Sequence, residues 1–103
     1  MSDAEWEQVA EIGVDAGMVW VGDPCYTMTP DTPFAIAENW QDFVARVFER
    51  KRDRVARWTK PEWGDIGVVV EAGRGDGVYP VFVRRDPKTG HIVELRVVFE
   101  SRA

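Results

Sequence analysis

The sequence predicts an α+β domain of about five mostly antiparallel strands in the order β-β-α-β-β-β. Segments near both ends alternate apolar and polar residues as strands do, while a central segment repeats apolar residues at helical spacing. Stretches rich in glycine and proline separate these segments. One amphipathic helix would then pack on the sheet, and a curled half-barrel would fit the same order.

Composition predicts a single domain spanning residues 1–103, because half of so short a chain would bury too little surface. The apolar fraction of 45% and five tryptophans indicate a folded chain. Cys25 is the single cysteine, so the fold must rest on packing and not on an internal disulfide. Without an apolar leader or a membrane-length apolar run, we expect a cytoplasmic protein that does not enter membranes.

The formal net charge of −5 argues against general binding to nucleic acid, which proteins bind by neutralising phosphates. Basic residues nevertheless crowd the middle of the chain and acidic residues its start. We therefore expect a protein partner or a small anionic ligand instead. The basic residues are Arg46, Arg50, Lys51, Arg52, Arg54, Arg57 and Lys60.

The first predicted element is a hairpin. A strand from Gln8 to Val14 would turn at Asp15-Ala16-Gly17 and return through Met18 to Val21. This second strand is apolar on both faces, which is typical of a central strand. Gly22-Asp23-Pro24 ends it, and the prolines between Thr27 and Pro33 predict a loop.

Asn39 is a suitable N-cap for the predicted helix. Pro61 disfavours helical geometry in the residue before it, so we expect the helix to end near Trp58. One apolar stripe should face the sheet; it comprises Trp40, Phe43, Val44, Val47 and Phe48.

Three strands complete the predicted sheet: Ile66 to Ala72, Val78 to Arg85 and Ile92 to Phe99. Pro80 has no amide hydrogen and should therefore lie at an edge, at a bulge or near a strand start. Asp86-Pro87-Lys88-Thr89-Gly90 predicts a hairpin connection. In the last strand the side chains expected to face inward are Val93, Leu95, Val97 and Phe99.

Two loop motifs carry more special residues than a plain sheet requires. The first runs from Val14-Asp15-Ala16-Gly17 to Gly22-Asp23-Pro24-Cys25-Tyr26, and the second is Gly75-Asp76-Gly77-Val78-Tyr79-Pro80-Val81. Together they resemble an uncharacterised family of small bacterial and phage proteins, a domain of unknown function. The resemblance implies a fold and a bacterial or phage source but no catalytic residues. It also suggests that the two motifs lie at one end of the sheet.

A catalytic interpretation would use Cys25 as nucleophile with His91 as base, or Asp23 and Asp76 as an acid/base pair. Asp15 could join the two aspartates in binding a cation. The structural interpretation makes Cys25 a small buried side chain and gives the aspartates hydrogen bonds to nearby turn amides. We favour the structural interpretation, and predict no metal, no cofactor and no enzymatic activity.

The leading functional hypothesis is a binding module, encoded by a bacterium or a phage and in the latter case directed against a host defence system. A small hydrolase or transferase using Asp23, Cys25 and Asp76, and a structural or assembly protein, are the alternatives. Trp20 and Trp40 should be in the core, whereas Trp6, Trp58 and Trp63 should be exposed and favour an interface such as a homodimer. The predicted contact residues are Asp15, Asp23, Cys25, Tyr26, Trp58, Trp63, Arg74, Asp76 and Tyr79.

Overall fold

The structure, a computed structural model, describes residues 5–28 and 36–100. Strands dominate these residues, and no helix among them is long and apolar enough to span a membrane. In chain order the elements are β1 (Trp6–Val14), β2 (Met18–Gly22), α1 (Cys25–Met28), α2 (Trp40–Arg50), β3 (Val55–Lys60), β4 (Gly64–Glu71), β5 (Gly77–Arg85) and β6 (Ile92–Val97).

The six strands of the described residues form two antiparallel three-stranded sheets, so the prediction of one five-stranded sheet is wrong. Neither sheet closes into a barrel. The first compact unit combines Met1–Gly17 with Ala72–Ala103 and contains the sheet β1-β5-β6. The second unit, Met18–Glu71, contains the sheet β2-β4-β3 and both helices.

The predicted hairpin of the first two strands does not form. β1 pairs with β5, as in Ile12 opposite Tyr79, whereas β2 pairs with β4, as in Trp20 opposite Val69. The alternation of side chains identifies a strand but not its partner, which here comes from a distant part of the chain. The Asp15–Gly17 turn therefore links two sheets, with Gly17 at a φ of 68°.

Helix α2 begins as predicted, because the Asn39 side chain accepts a hydrogen bond from the Asp42 N–H. It ends at Arg50 and not near Trp58. Asp53 and Arg54 take φ angles of 53° and 69° in a two-residue turn, and Arg52 and Val55 exchange backbone hydrogen bonds across it. This turn starts β3, a strand that the helical spacing of the apolar residues concealed.

A short helix also replaces part of the predicted loop after β2. Thr27 and Met28 belong to α1, while positions 29–33 of that loop lie outside the described residues.

The second unit has an aromatic core. Trp58 is only 3% exposed, so the prediction of an exposed Trp58 is wrong, and Trp40 is 56% exposed instead of buried. Trp58 meets Trp20 edge to face and stacks on Phe43, with ring centroids 5.7 and 5.6 Å apart. The other buried members of this cluster are Ile36, Val47, Ala56 and Val69.

In the first unit, the inward orientation predicted for the last strand fails at two of four residues, while Val97 and Phe99 are half-buried. Val93 and Leu95 are exposed, so β6, the edge strand of its sheet, is open to solvent at these positions. Pro80 lies inside the central strand β5, yet its C=O accepts the last bond from the β6 side, from Val98 N–H. The N–H and C=O of a strand residue point to the same side of the strand. The amide hydrogen that Pro80 lacks would therefore point to the β6 side, at the position where β6 ends.

Candidate functional site

Three arginines from three successive elements of the second unit line one open cavity of about 650 Å³. Arg50 ends α2, Arg52 begins the turn and Arg57 lies on β3. Val55 and Thr59 complete the lining. We call this site the arginine cavity.

The cavity lies beside β3, at the open edge of its sheet. Ala56 and Trp58 are buried on one face of the strand, so Arg57 and Thr59 project from the other. Because β3 is an edge strand in the order β2-β4-β3, nothing else of that sheet pairs beyond it. Two arginines thus flank an accessible strand edge from the helix and the sheet.

Contacts within the unit position the guanidinium groups. Arg50 lies over the Trp58 ring, with its Cζ 5.0 Å from the ring centroid. Arg52 Nη1 donates to the backbone carbonyls of Glu49 and Lys51 at 3.3 and 2.9 Å. Stacking and carbonyl contacts leave part of each planar fork available to a ligand.

The cavity carries little compensating negative charge. Arg57 Nη1 lies 3.7 Å from Asp65 Oδ2, and both side chains are largely exposed, so water weakens this pair. In residues 5–28 and 36–100, neither Arg50 nor Arg52 forms an ion pair. The local charge is therefore positive in a protein whose formal net charge is −5.

A second pocket of about 420 Å³ lies beside the start of α2 in the same unit. Trp40 stacks on Phe43 with centroids 5.7 Å apart, and Phe43 in turn stacks on Trp58. Tyr26, one of the predicted contact residues, lines this aromatic pocket together with Trp20. The exposed ring of Trp40 forms the outer end of the stack.

The predicted motif residues around Asp23 have a structural role. The Cys25 N–H donates to Asp23 Oδ1 at 3.0 Å, which begins α1 and holds the pKa of Asp23 below its usual value. Desolvation and the neighbouring Asp23 raise the pKa of the Cys25 thiol. Burial, with the nearby Cys25 and Asp23, also raises the pKa of Tyr26.

Cys25 is exposed, so its predicted burial is wrong. A raised pKa keeps it as a thiol at neutral pH, whereas a nucleophilic cysteine requires a lowered pKa. The hydrogen bond predicted for Asp23 in its turn is confirmed.

In the first unit, the glycine-rich motif lies beside the Asp15–Gly17 turn. The Ala72 N–H donates to the Gly17 carbonyl at 2.9 Å, and a Cβ added at Gly17 would lie 3.9 Å from Asp76 Oδ1. Tyr79 is buried and donates its hydroxyl to the Gly75 carbonyl at 2.6 Å. Arg74 pairs with Glu100 at 3.2 Å.

The predicted site residues divide between the two units. Asp15, Arg74, Asp76, Tyr79 and His91 lie in the first unit. That the two motifs share one site therefore stays a prediction. The second unit holds Asp23, Cys25, Tyr26, Trp58 and Trp63.

Trp63 is 57% exposed, as expected, but Trp58 belongs to the core. His91 follows the predicted hairpin, whose Asp86 N–H donates to the His91 carbonyl at 2.8 Å. Within the described ranges, no three residues of metal-ligating type stand together.

The arginine cavity was missed because a helix ending near Trp58 would contain Arg50, Arg52 and Arg57 in one element. The arginine-rich run itself was visible in the sequence. A turn at Asp53-Arg54 would have separated Arg57 from the helix. Asp53 suits the first position of such a turn, but Arg54 is not the glycine that usually follows it.

Comparison with known proteins identifies a family and no function. The model of the DUF4241 family, described as a protein of unknown function, matches residues 9–97. No curated protein and no solved structure shows a significant match.

Proposed function

This chain belongs to the DUF4241 family of proteins of unknown function, and we propose that it is a binding module for a small anionic ligand. The observation that supports the proposal is the arginine cavity, whose lining includes three arginines with a single weak carboxylate partner among the described residues. The predicted alternative of a small hydrolase or transferase has no comparable support, because Cys25 has a raised pKa and Asp23 is engaged by a backbone amide.

The chemistry of arginine favours phosphate or carboxylate as the bound group. Guanidinium is always charged near neutral pH, and its fork matches two oxygens of either anion. A cavity of about 650 Å³ is within the usual range for small-molecule sites, so a nucleotide would fit as well as a free phosphate. Thr59 adds a hydroxyl that can donate to a further oxygen.

Isothermal titration calorimetry with inorganic phosphate and with ADP, at low salt, tests the proposal. We expect the binding affinity to fall as salt is added. We also expect each of the substitutions Arg52→Ala and Arg57→Ala to lower this affinity by about tenfold. Lys88→Ala is the matched control: it removes one positive charge from an exposed hairpin of the first unit.

Neither arginine substitution should lower the melting temperature much. The Arg57 side chain is highly exposed, and within the described residues the hydrogen bonds of the Arg52 side chain are to backbone carbonyls. Absence of heat with both probes, or equal binding by the two arginine variants and the wild type, would refute an anion site in this cavity.

The bacterial or phage source and the cytoplasmic location stay predictions, and action against a host defence system is an analogy drawn from them. If the protein sequesters a nucleotide signal, an anion site of this kind is the feature it would use. Mass spectrometry of the protein purified from its own cells, before and after denaturation, would reveal a retained anion.

A further inference from the structure

The last strand of the first unit presents an unusual edge. β6 is the outer strand in the order β1-β5-β6, and three of its apolar side chains are exposed: Ile92 at 54%, Val93 at 49% and Leu95 at 61%. Exposed apolar edge strands are templates for pairing with another chain, and proteins normally shorten or cover them.

The hydrogen-bond pattern shows which backbone groups of β6 are available. The Val98 N–H donates to Pro80, and in an antiparallel pair every second residue bonds to the same neighbour. The register therefore directs the backbone groups of Arg96 and Glu94 toward β5, opposite Phe82 and Arg84. Those of Leu95 and Val97 point away from β5, to the open side.

The sequence of this edge is complementary to itself. Glu94 and Arg96 flank Leu95, so a two-fold axis at Leu95 brings each glutamate opposite the arginine of a second copy. The same operation pairs Leu95 with its equivalent through the outward backbone groups. The ladder with β5 has a bulge at Val93, so the regular part of the new ladder spans Glu94 to Arg96. The charged pairs then lie on one face of the new ladder and the two Leu95 side chains on the other.

We propose that β6 pairs antiparallel with β6 of a second copy around Leu95, joining the two β1-β5-β6 sheets into one six-stranded sheet. A symmetric contact of this kind closes on itself and gives a dimer rather than a filament. Parallel pairing in register would place like charges side by side, which disfavours it.

The monomer already holds both charges in place. Glu94 forms an ion pair with Arg84 on the neighbouring strand, and the Arg96 guanidinium lies 4.0 Å from the centroid of the Trp6 ring. In the dimer each glutamate lies between two arginines, one from its own sheet and one from the partner. Because these side chains are already ordered, less conformational entropy is lost on pairing.

A mixing experiment tests the arrangement. Glu94→Lys and Arg96→Glu each place like charges opposite each other in the homodimer, so each should weaken self-association by about tenfold or more. In an equimolar mixture, every charged contact between the two copies of the mixed pair is again between opposite charges. Analytical ultracentrifugation of the mixture should therefore recover a dimer that neither variant forms alone at that concentration.

Leu95→Pro provides a second variant that leaves the ladder with β5 intact, since the Leu95 N–H points to the open side. Its circular dichroism and melting temperature at low concentration should match those of the wild-type monomer, while self-association is lost. A wild-type protein that stays monomeric at high concentration overturns the proposal. So does a dimer that survives Leu95→Pro, or a mixture of the charge variants that stays monomeric.

Discussion

At the scale of single residues, Gly67 allows the Trp20 ring to lie flat on β4. A Cβ added at Gly67 would lie 2.2 Å from the Trp20 ring, closer than any real contact. We predict that Gly67→Ala lowers the free energy of unfolding by about 2 kcal/mol, because Trp20 or the strand must move. Urea denaturation followed by tryptophan fluorescence measures this change.

Gly13→Ala is the control for that substitution. Gly13 also lies in a strand, at an ordinary φ, and a Cβ there would meet nothing within 4 Å. It should be neutral or slightly stabilising, since alanine restricts the unfolded chain. Equal losses for the two glycines would mean that the Trp20 contact is unimportant.

The start of α2 depends on two side chains that each accept a hydrogen bond from a backbone N–H. Asn39 accepts from the Asp42 N–H at 2.8 Å, and Asp42 accepts from the Glu38 N–H at 2.9 Å. Asn39→Ala should therefore lower the free energy of unfolding by about 1 kcal/mol. Asn39→Ser, which restores an acceptor, should recover most of the loss in the same denaturation measurement.

Asp42 makes this cap dependent on pH. The Glu38 N–H, with the Arg46 guanidinium, lowers the pKa of Asp42 below its ordinary value of 3.8. A lowered pKa in the folded state means that the stabilisation is fully present above pH 3.8 and is lost as the pH falls through the lower folded value.

We predict that Asp42→Asn is less stable than the wild type at neutral pH and that the difference shrinks on acidification below pH 3.8. Denaturant unfolding at several pH values between neutrality and strong acid measures the difference. A constant difference across that range would show that the Asp42 charge does not stabilise the helix.

At the scale of elements, the Asp53-Arg54 turn is the boundary that decides where the arginines lie. Both residues have positive φ, which costs an ordinary side chain about 1 kcal/mol but costs glycine little. Arg54→Gly should thus raise the free energy of unfolding by about 0.5 to 1 kcal/mol.

Glu49→Gly, the same kind of change inside α2, should instead lower it by about 1 kcal/mol. Thermal denaturation of both variants checks the contrast. Destabilisation by Arg54→Gly would mean that the arginine side chain itself supports the turn.

Elements were predictable where local signals decide them, and not where pairing over distance decides. Asn39 correctly marked the start of α2, and Asp86-Pro87-Lys88-Thr89-Gly90 the hairpin before β6. The partners of β1 and β2 lie more than forty residues away, and no local pattern names them. Trp58 was misplaced for a related reason. The sequence pattern placed it at the end of the helix, but the turn after α2 puts it in the strand β3, where it is buried.

At the scale of the whole molecule, the charge of the chain and the charge of its site have opposite signs. The formal net charge of −5 argues against general binding to nucleic acid, which stays a prediction, while three residues of the basic run, Arg50, Arg52 and Arg57, line one cavity. The sequence could not show the cavity, because Arg50 and Arg57 line it together only when the chain reverses at the turn. The predicted aspartate and cysteine site was based on motif residues. Of these, Asp23 accepts a hydrogen bond from the Cys25 N–H within its own turn.

The second unit is one uninterrupted segment of chain that both begins and ends on neighbouring strands. Met18 lies opposite Glu71 in the β2–β4 pair, and the Ala72 N–H bonds to the Gly17 carbonyl just outside it. A short linker could therefore join Gly17 to Ala72 in place of everything between. Recombination at these two points would add, remove or exchange the arginine cavity in one genetic event. β1, encoded before this segment, and β5 and β6, encoded after it, would remain, and with them the self-complementary edge of β6.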